Sequence, residues 1–182
     1  MTGASSDPPI RNNYFAGKVL TAEDLQVEQS YHIGQRRSHN RHLHGAGVVH
    51  GLAVSVGSAG VRVEPGMAID CRGREIVVPD PAQVDLPTSG KVAIVAVAYA
   101  ERLAEPVLVP DPEGEDTVYS RIIETFELPV GPEAEAGAAH PKGRRTWRPC
   151  GRDHPVPLAR LRLRRGRWRV DRWYRRPEIR IC

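Results

Sequence analysis

The chain has 182 residues, of which 40% are hydrophobic and 5% aromatic, and its formal net charge at pH 7 is +4. This length is sufficient for one domain with a substantial core. Residues 1–20 contain no apolar run like that of a signal peptide, and the longest apolar stretch, Val92–Ala100, is far shorter than the roughly 20 residues that span a bilayer. The sequence therefore argues against membrane insertion and predicts a cytoplasmic protein.

The charge is divided unevenly along the chain. Residues 1–141 contain 11 basic and 19 acidic residues, a net charge of −8, whereas residues 142–182 contain 15 basic and 3 acidic residues, a net charge of +12. A negative body with a positive C-terminal segment can bind an external polyanion or the acidic surface of a neighbouring subunit.

The first predicted element is a helical arm at residues 21–44, which follows an extended tail at residues 1–20. Thr21 is a suitable N-cap, and Asp24 stands where the carboxylate of a capping box would lie. Gly45 is a suitable stop, because glycine readily adopts the backbone conformation that ends a helix. These signals define both ends of the arm.

The arm is mostly polar and about 35 Å long at 1.5 Å per residue. Its larger apolar side chains do not form one wide stripe; they are Leu25, Val27, Tyr31, Ile33 and Leu43. A helix of this kind is marginally stable alone, because its stability must come from packing. We therefore expect the arm to lie on a sheet or to bundle with copies of itself, with Leu25 and Tyr31 in the contact.

Histidines form a stripe along the arm. His32, His39 and His42 share one helical face, since offsets of three, four and seven residues return to the same side. On the axis of a symmetric trimer they could bind a metal, and they could also form a pH-sensitive contact. The favoured interpretation is that they are polar interface residues.

A second set of residues could bind zinc. Its members are Cys71, His140, Cys150 and His154. Their spacing matches no standard zinc pattern, and the three cysteines, which include Cys182, form no CxxC pair. We therefore predict neither a metal site nor a disulfide framework.

Segments rich in β-branched residues predict strands throughout residues 45–182, which we expect to form one β domain. These segments are Val48–Val56, 61–64, Met67–Asp70, Arg74–Val78, Val92–Ala100 and Thr117–Val130. The alanines of Val92–Ala100 also allow a helix, and Val118, Ile122 and Phe126 fit either period, but the β-branched residues of Thr117–Val130 favour a strand. The predicted fold class is mainly β, a β-sandwich or an open barrel preceded by one long N-terminal α-helix.

Turn residues connect these strands. Pro65-Gly66 fits the central pair of a type II turn, and Arg72-Gly73 fits a tight hairpin, so the first strands should pair consecutively as a β-meander. Pro110–Asp116 is an acidic turn. A long loop is expected at about residues 131–157, where no periodicity is found.

A final hairpin is predicted around a turn at Arg165-Gly166. The expected cross-strand pairs are Leu163 with Trp168, Arg162 with Arg169, Leu161 with Val170 and Arg160 with Asp171. The leucines, Trp168 and Val170 would face the core. Like charges directly opposite each other are destabilising unless an anionic group covers them. The arginine face is therefore a predicted contact surface for acidic protein surfaces, formed by Arg162, Arg164, Arg167 and Arg169.

No enzymatic motif is found in the sequence. It contains neither GxSxG nor HExxH, and Asp70 and Glu75 beside the Arg72-Gly73 turn are better interpreted as solvated charges than as an acid/base pair. The glycines after the arm precede a strand, the reverse of the order in phosphate-binding loops. We predict no catalytic residue and no cofactor.

Two runs, RNNYFAGKVLTAEDLQVEQSYH from Arg11 and RRSHNRHLHGAGVVHGL from Arg36, resemble the N-terminal part of small structural proteins of phage tails and phage-tail-like contractile injection systems. The resemblance covers about the first third of the chain, with weaker similarity in VEPGMAIDCRGREIVV and PLARLRL. It implies a non-enzymatic subunit of the baseplate, tail tip or fibre attachment point, in a particle that can leave the cell. The implied partners are other subunits and copies of the chain itself, for example in a trimer.

The alternative is a nucleic-acid-binding module. Its phosphate contacts would come from the basic C-terminal segment, and stacking would come from the interleaved aromatic residues Trp147, Trp168, Trp173 and Tyr174. Because Trp168 is predicted to point away from the arginine face, the stacking contribution is weakened. The assembly hypothesis is preferred.

Overall fold

The computed structural model of the chain describes residues 8–111, 114–132 and 153–179. These residues form one α-helix, α1 at Ala22–His39, which continues as a π-helical turn at Asn40–His44. The strands are β1 Gly47–Gly51, β2 Val54–Gly57, β3 Gly60–Val63, β4 Gly66–Ile69, β5 Glu75–Val78, β6 Ala82–Val84, β7 Val92–Asp111, β8 Gly114–Glu127, β9 Val130–Gly131, β10 Val156–Arg164 and β11 Arg167–Val170. The predicted mainly β fold with one N-terminal helix is confirmed.

The N-terminus of α1 is closed by the predicted capping box. The Asp24 N–H donates to the Thr21 hydroxyl at 3.2 Å, and the Thr21 N–H donates to the Asp24 carboxylate at 3.1 Å. Two of the N–H groups that a helix start leaves unpaired are therefore satisfied. At the other end the Gly45 N–H donates to the Asn40 carbonyl at 2.9 Å, which closes the π-helical turn.

Three antiparallel sheets surround one core. Their strand orders are β1-β4-β5, β2-β3-β6 and β11-β10-β7-β8, and the short β9 also pairs with β7. The core is aliphatic, as the composition implies, and all three sheets contribute to it; its fully buried members include Val48, Val61, Val63, Ile76, Val95, Val97 and Leu161. The C-terminal segment extends the first sheet, because the Ile179 N–H donates to the Val48 carbonyl at 2.8 Å.

The predicted meander is wrong, because β4 pairs with β1 rather than with β3. The predicted strand Val48–Val56 is divided at Gly51 and Leu52, which both have positive φ, and its halves enter different sheets. Leu52 is fully buried, so packing offsets the cost of its backbone conformation. Periodicity does not reveal such a change of sheet, because both halves are extended.

The predicted type II turn at Pro65-Gly66 is also wrong. Gly66 lacks the positive φ that this turn requires, and it begins β4 opposite Gly51. A Cβ at Gly66 would collide with the His50 carbonyl and the Leu52 amide. Glycine is therefore needed here for close approach of two backbones rather than for a turn.

Strand β7 is the central strand of its sheet, as predicted for Val92–Ala100. Residues 92–97 pair with β10, and residues 98–111 pair with β8. The predicted acidic turn is the far end of the β7–β8 hairpin, of which residues 112 and 113 lie outside the described part. Most of the predicted long loop, residues 133–152, also lies outside it. Among the described residues, no helix is both long enough and apolar enough to cross a membrane.

Candidate interaction surfaces

The contacts between helix α1 and the β body that the described residues make lie near the C-terminal end of the helix. The Asn40 side chain donates to the Gly73 carbonyl at 3.0 Å and to the Glu75 carboxylate at 3.1 Å, and Arg36 forms an ion pair with Glu75 at 3.3 Å. A Cβ at Gly73 would collide with the backbone of Arg37, so the turn and the helix touch directly. No residue of α1 is buried.

The segment before α1 folds back onto the start of the helix. The Asn12 side chain donates to the Asp24 carbonyl, and the Lys18 ammonium lies 2.8 Å from the Asp24 carboxylate. The hydrogen bond from Lys18, with those from Thr21, lowers the pKa of Asp24 to about 2. The large apolar side chains of this end of the molecule are exposed; they are Ile10, Tyr14, Phe15, Val19, Leu20 and Leu25. We call these six residues the N-terminal apolar patch.

The residues predicted to form the interface of the arm lie on an open surface. Leu25, His32, His39 and His42 are exposed, and Tyr31 is half-buried. The His32 ring lies 3.0 Å from the Glu28 carboxylate and packs edge-on against Tyr31, with ring centroids 5.3 Å apart. These contacts are local to the helix, so its face stays available.

Metal binding finds no support in the described part of the chain. No group of three or more histidine, cysteine or acidic residues there could hold a metal ion. His39 packs against His44, with ring centroids 5.2 Å apart, and the His42 Nδ1 lies 2.7 Å from the Ser38 carbonyl oxygen. Of the zinc candidates, Cys71 and His154 are described, whereas His140 and Cys150 lie outside the described residues, as does Cys182.

The turn between β4 and β5 contains a buried ion pair. Asp70 is 1% exposed, so its prediction as a solvated charge is wrong. Its carboxylate accepts hydrogen bonds from the N–H groups of Arg72 and Arg74, at 2.8 and 2.9 Å, and from the Arg74 guanidinium at 2.5 Å. Burial disfavours the charge on Arg74, but the hydrogen bond and the charge of Asp70, together with the electrostatic interactions with Asp153 and Tyr99, outweigh burial and raise the pKa of Arg74.

Tyr99 connects this ion pair with the helix and with the base of the β7–β8 hairpin. The Arg74 guanidinium lies over its ring at 4.6 Å and that of Arg37 at 6.0 Å. The Tyr99 hydroxyl donates to Glu101 at 2.7 Å and to Glu124 at 3.0 Å. Burial and then these two carboxylates raise the pKa of Tyr99, so the phenol stays protonated. This junction fixes where the helix and the hairpin leave the body.

The C-terminal hairpin has the predicted register, with Leu161 opposite Val170, Arg162 opposite Arg169 and Leu163 opposite Trp168. Leu161 is fully buried, but Leu163 is exposed and does not belong to the core. The Trp168 indole N–H donates to the Pro87 carbonyl at 3.2 Å, which turns the ring away from the arginine face as expected.

Part of the arginine face is neutralised within the chain. The Asp171 carboxylate binds Arg160 at 2.7 Å and Arg162 at 2.8 Å, so the anionic group that covers Arg162 comes from the same chain. The Trp173 N–H, Arg160 and Arg162 together lower the pKa of Asp171. The side chains of the remaining arginines have no ion pair or hydrogen-bond partner among the described residues; they are Arg164, Arg165, Arg167 and Arg169.

A further surface was not predicted from the sequence. Beyond Ala100, the β7–β8 hairpin projects from the body as a two-stranded ribbon with exposed apolar side chains, among them Leu103, Val107, Leu108, Val118, Tyr119 and Ile122. In the sequence, the spacing of Val118, Ile122 and Phe126 fits both a strand and a helix. This pattern is compatible with strand β8, but it does not indicate that the strand extends beyond the core.

Comparison with known proteins identifies the fold. No protein-family model and no curated protein matches the chain. A chain in the cryo-electron microscopy structure of the type VI secretion system TssK-TssF-TssG baseplate subcomplex is similar, with a TM-score of 0.55 and 13% identity. The alignment covers 94% of this chain and 62% of that one.

A chain in the baseplate complex from the type VI secretion system gives a TM-score of 0.52 at 13% identity, covering 94% of this chain and 60% of that one. A crystal structure of TssK gives a TM-score of 0.49 at 12% identity, and the alignment covers 90% of this chain and 41% of that one. The chain thus spans about three fifths of the length of the two former neighbours. It shares a fold with chains found in baseplate complexes of the type VI secretion system.

Proposed function

We propose that this chain is a non-enzymatic structural subunit of a phage-tail-like contractile injection particle, located in its baseplate, tail tip or fibre attachment point. Two independent lines support the proposal. The N-terminal third resembles proteins of phage tails and contractile particles in sequence, and the described domain has the fold of chains in type VI baseplate complexes. The proposed location is cytoplasmic before the particle is assembled.

The observation that carries the proposal is the unsupported helix. None of the 18 residues of α1 is buried, yet its start adjoins the N-terminal apolar patch. Fully burying one leucine side chain stabilises a contact by about 1.5–3 kcal/mol, so covering several members of the patch is sufficient to hold a subunit in place. A helix of this length needs such a contact, because it is marginally stable alone.

The proposed partners follow from the two surfaces. The arm, through Leu25, Tyr31, His32, His39 and His42, would contact copies of the chain, in a trimer where α1 faces a threefold axis, or other subunits of the particle. The hairpin, through Arg162, Arg164, Arg167 and Arg169, would contact acidic protein surfaces. Arginine suits this role because its guanidinium pairs bidentately with carboxylates.

The test is particle incorporation of two matched variants. Leu25 and Val77 are exposed to almost the same extent, 54% and 55%, but Val77 lies on the body in β5. We expect Leu25→Lys to abolish incorporation into particles purified from the source cells, while Val77→Lys is incorporated normally. Both variants should keep the wild-type circular dichroism spectrum. Normal incorporation of Leu25→Lys, or absence of the wild-type chain from particles, would contradict the proposal.

Nucleic-acid binding is the second candidate. It is favoured by the arginines of the hairpin that have no described side-chain partner and by Trp173, which follows β11 in the chain and is 85% exposed. This function predicts affinity for DNA or RNA that falls steeply with salt and weakens in an Arg164→Ala/Arg167→Ala variant. Absence of binding at low salt would eliminate it.

A further inference from the structure

The ribbon is structurally incomplete. Strands β9 and β10 pair only with residues 92–97 of β7, so beyond Val97 the only described partner of β7 is β8. At about 3.4 Å per residue, the part beyond Ala100 extends roughly 35 Å. An isolated two-stranded hairpin is marginally stable in water, and its unpaired edges readily accept another chain. The ribbon therefore requires a partner.

The exposed surface of the ribbon has a defined chemistry. Leu103 lies opposite Ile122, and Val107 lies opposite Val118, so each pair shares one face, and all four side chains are exposed. The paired segments, residues 98–111 and 114–127, contain seven acidic and two basic residues, a net charge of −5. The complementary partner is a basic one with apolar contact area.

The chain itself carries such a surface. The C-terminal hairpin, Val156–Val170, contains six arginines and no acidic residue, a net charge of +6, and only Arg160 and Arg162 are paired with Asp171. The aliphatic stems of arginine cover apolar surface while their charged ends pair with carboxylates, so this hairpin matches both properties of the ribbon.

The two surfaces lie at opposite edges of one sheet. In the order β11-β10-β7-β8, two strands separate β11 from β8, so the hairpin cannot reach the ribbon of the same molecule. We propose that the Arg-rich hairpin of one copy binds the β7–β8 ribbon of a second copy, head to tail. This inference rests on the proposed assembly function and names the surface that the hairpin recognises. Such a heterologous contact generates a closed ring or an open filament.

The experiment is a charge swap on the full chain. Arg167→Glu/Arg169→Glu reverses two charges of the hairpin and lowers its net charge from +6 to +2, and Glu115→Lys/Asp116→Lys reverses two charges of the ribbon and changes its net charge from −5 to −1. Like charges across an interface cost several kcal/mol, and each 1.4 kcal/mol is tenfold, so self-association of each variant should weaken roughly 100-fold or more. Sedimentation at low salt measures this, and circular dichroism checks the fold.

Recombining the charges gives the decisive measurement. A mixture of the two variants, or one chain with all four substitutions, should recover association, because the introduced glutamates of the hairpin then meet the introduced lysines of the ribbon. Failure to recover it, or unchanged association of either two-residue variant, would overturn the inference. A Leu103→Thr/Ile122→Thr variant should also weaken association, with little dependence on salt, because it removes apolar contact only.

Particle incorporation separates this inference from the proposed function. If the charge swap recovers association but the wild-type chain is absent from particles, the contact exists and the proposed function is wrong. If the wild-type chain is present in particles but the swap fails, the function is supported and the head-to-tail contact is wrong.

Discussion

The β body and its two projections satisfy their apolar groups in different ways. In the body, three sheets bury Val61, Ile76 and Leu161 completely. In the projections, α1 and the ribbon expose Leu25, Leu103 and comparable side chains although both elements are regular. A regular helix or strand can therefore still lack packing partners. In the body, apolar side chains are buried against other parts of the same chain, whereas in the projections they are exposed.

The same contrast applies to charge. The body buries one ion pair, Asp70 with Arg74, and satisfies it with further hydrogen bonds. The hairpin leaves most of its arginines exposed, and Asp171 lies against Arg160 and Arg162. Interactions in the body should therefore determine the free energy of unfolding, whereas those in the projections should determine association.

The largest expected effect comes from the buried ion pair. Asp70→Ala removes the acceptor of three hydrogen bonds and leaves Arg74 without its main partner, and such a change costs about 3–5 kcal/mol. Chemical denaturation of the purified chain measures this loss. The control is Glu64→Ala, which breaks the exposed pair with Arg62 and should cost no more than about 1 kcal/mol. Equal losses of unfolding free energy for the two variants would contradict the proposed difference between the buried and the exposed ion pair.

Two leucines compare the core with the ribbon directly. Leu161→Ala creates a cavity at a fully buried position and should lower the free energy of unfolding by about 2–5 kcal/mol. Leu103→Ala, at a position that is 56% exposed, should change it by no more than about 0.5 kcal/mol at concentrations where the chain is monomeric. A comparable loss for Leu103→Ala would show that the ribbon is packed in the free subunit.

Local sequence signals were sufficient wherever the determining residues are close together in the chain. The capping box of Thr21 and Asp24 and the hairpin at Arg165-Gly166 have the predicted form, and residues 92–100 form the first part of β7 as the predicted strand. In each of them, neighbours within a few residues determine the backbone conformation. The mainly β class followed from the same kind of signal.

Long-range pairing could not be predicted in this way. The pairing of β4 with β1 depends on two glycines that let distant backbones approach, and Gly66 was taken for a turn residue. The burial of Asp70 depends on guanidinium and amide donors placed around it by the folded turn. The ribbon was missed because its strands were recognised only in part, and strand length relative to the core is a property of the whole fold.

A smaller effect is expected at the helix cap. Thr21→Ala removes the hydroxyl that accepts from the Asp24 N–H, and losing such a cap costs about 1 kcal/mol of helix stability. Because α1 is attached to the body only near its C-terminal end, the loss should appear as faster amide exchange in the first turn, with the global unfolding midpoint unchanged. A lower midpoint would mean that the helix folds cooperatively with the body.

The smallest effect concerns the pH dependence of the same turn. The folded pKa of Asp24, about 2, lies below the ordinary value of 3.8, so its contribution to helix stability is present above the ordinary value and is lost as the pH falls through the folded pKa. The hydrogen bond from Lys18 is the largest cause. Titration of the carboxyl carbon by NMR should therefore give a higher pKa in Lys18→Met, towards 3.8, but not in the control Arg11→Met, because Arg11 makes no described contact with Asp24. Since the pair is exposed, salt should weaken the shift. A wild-type pKa near 3.8 would show that the segment before the helix does not fold back onto it in the free subunit.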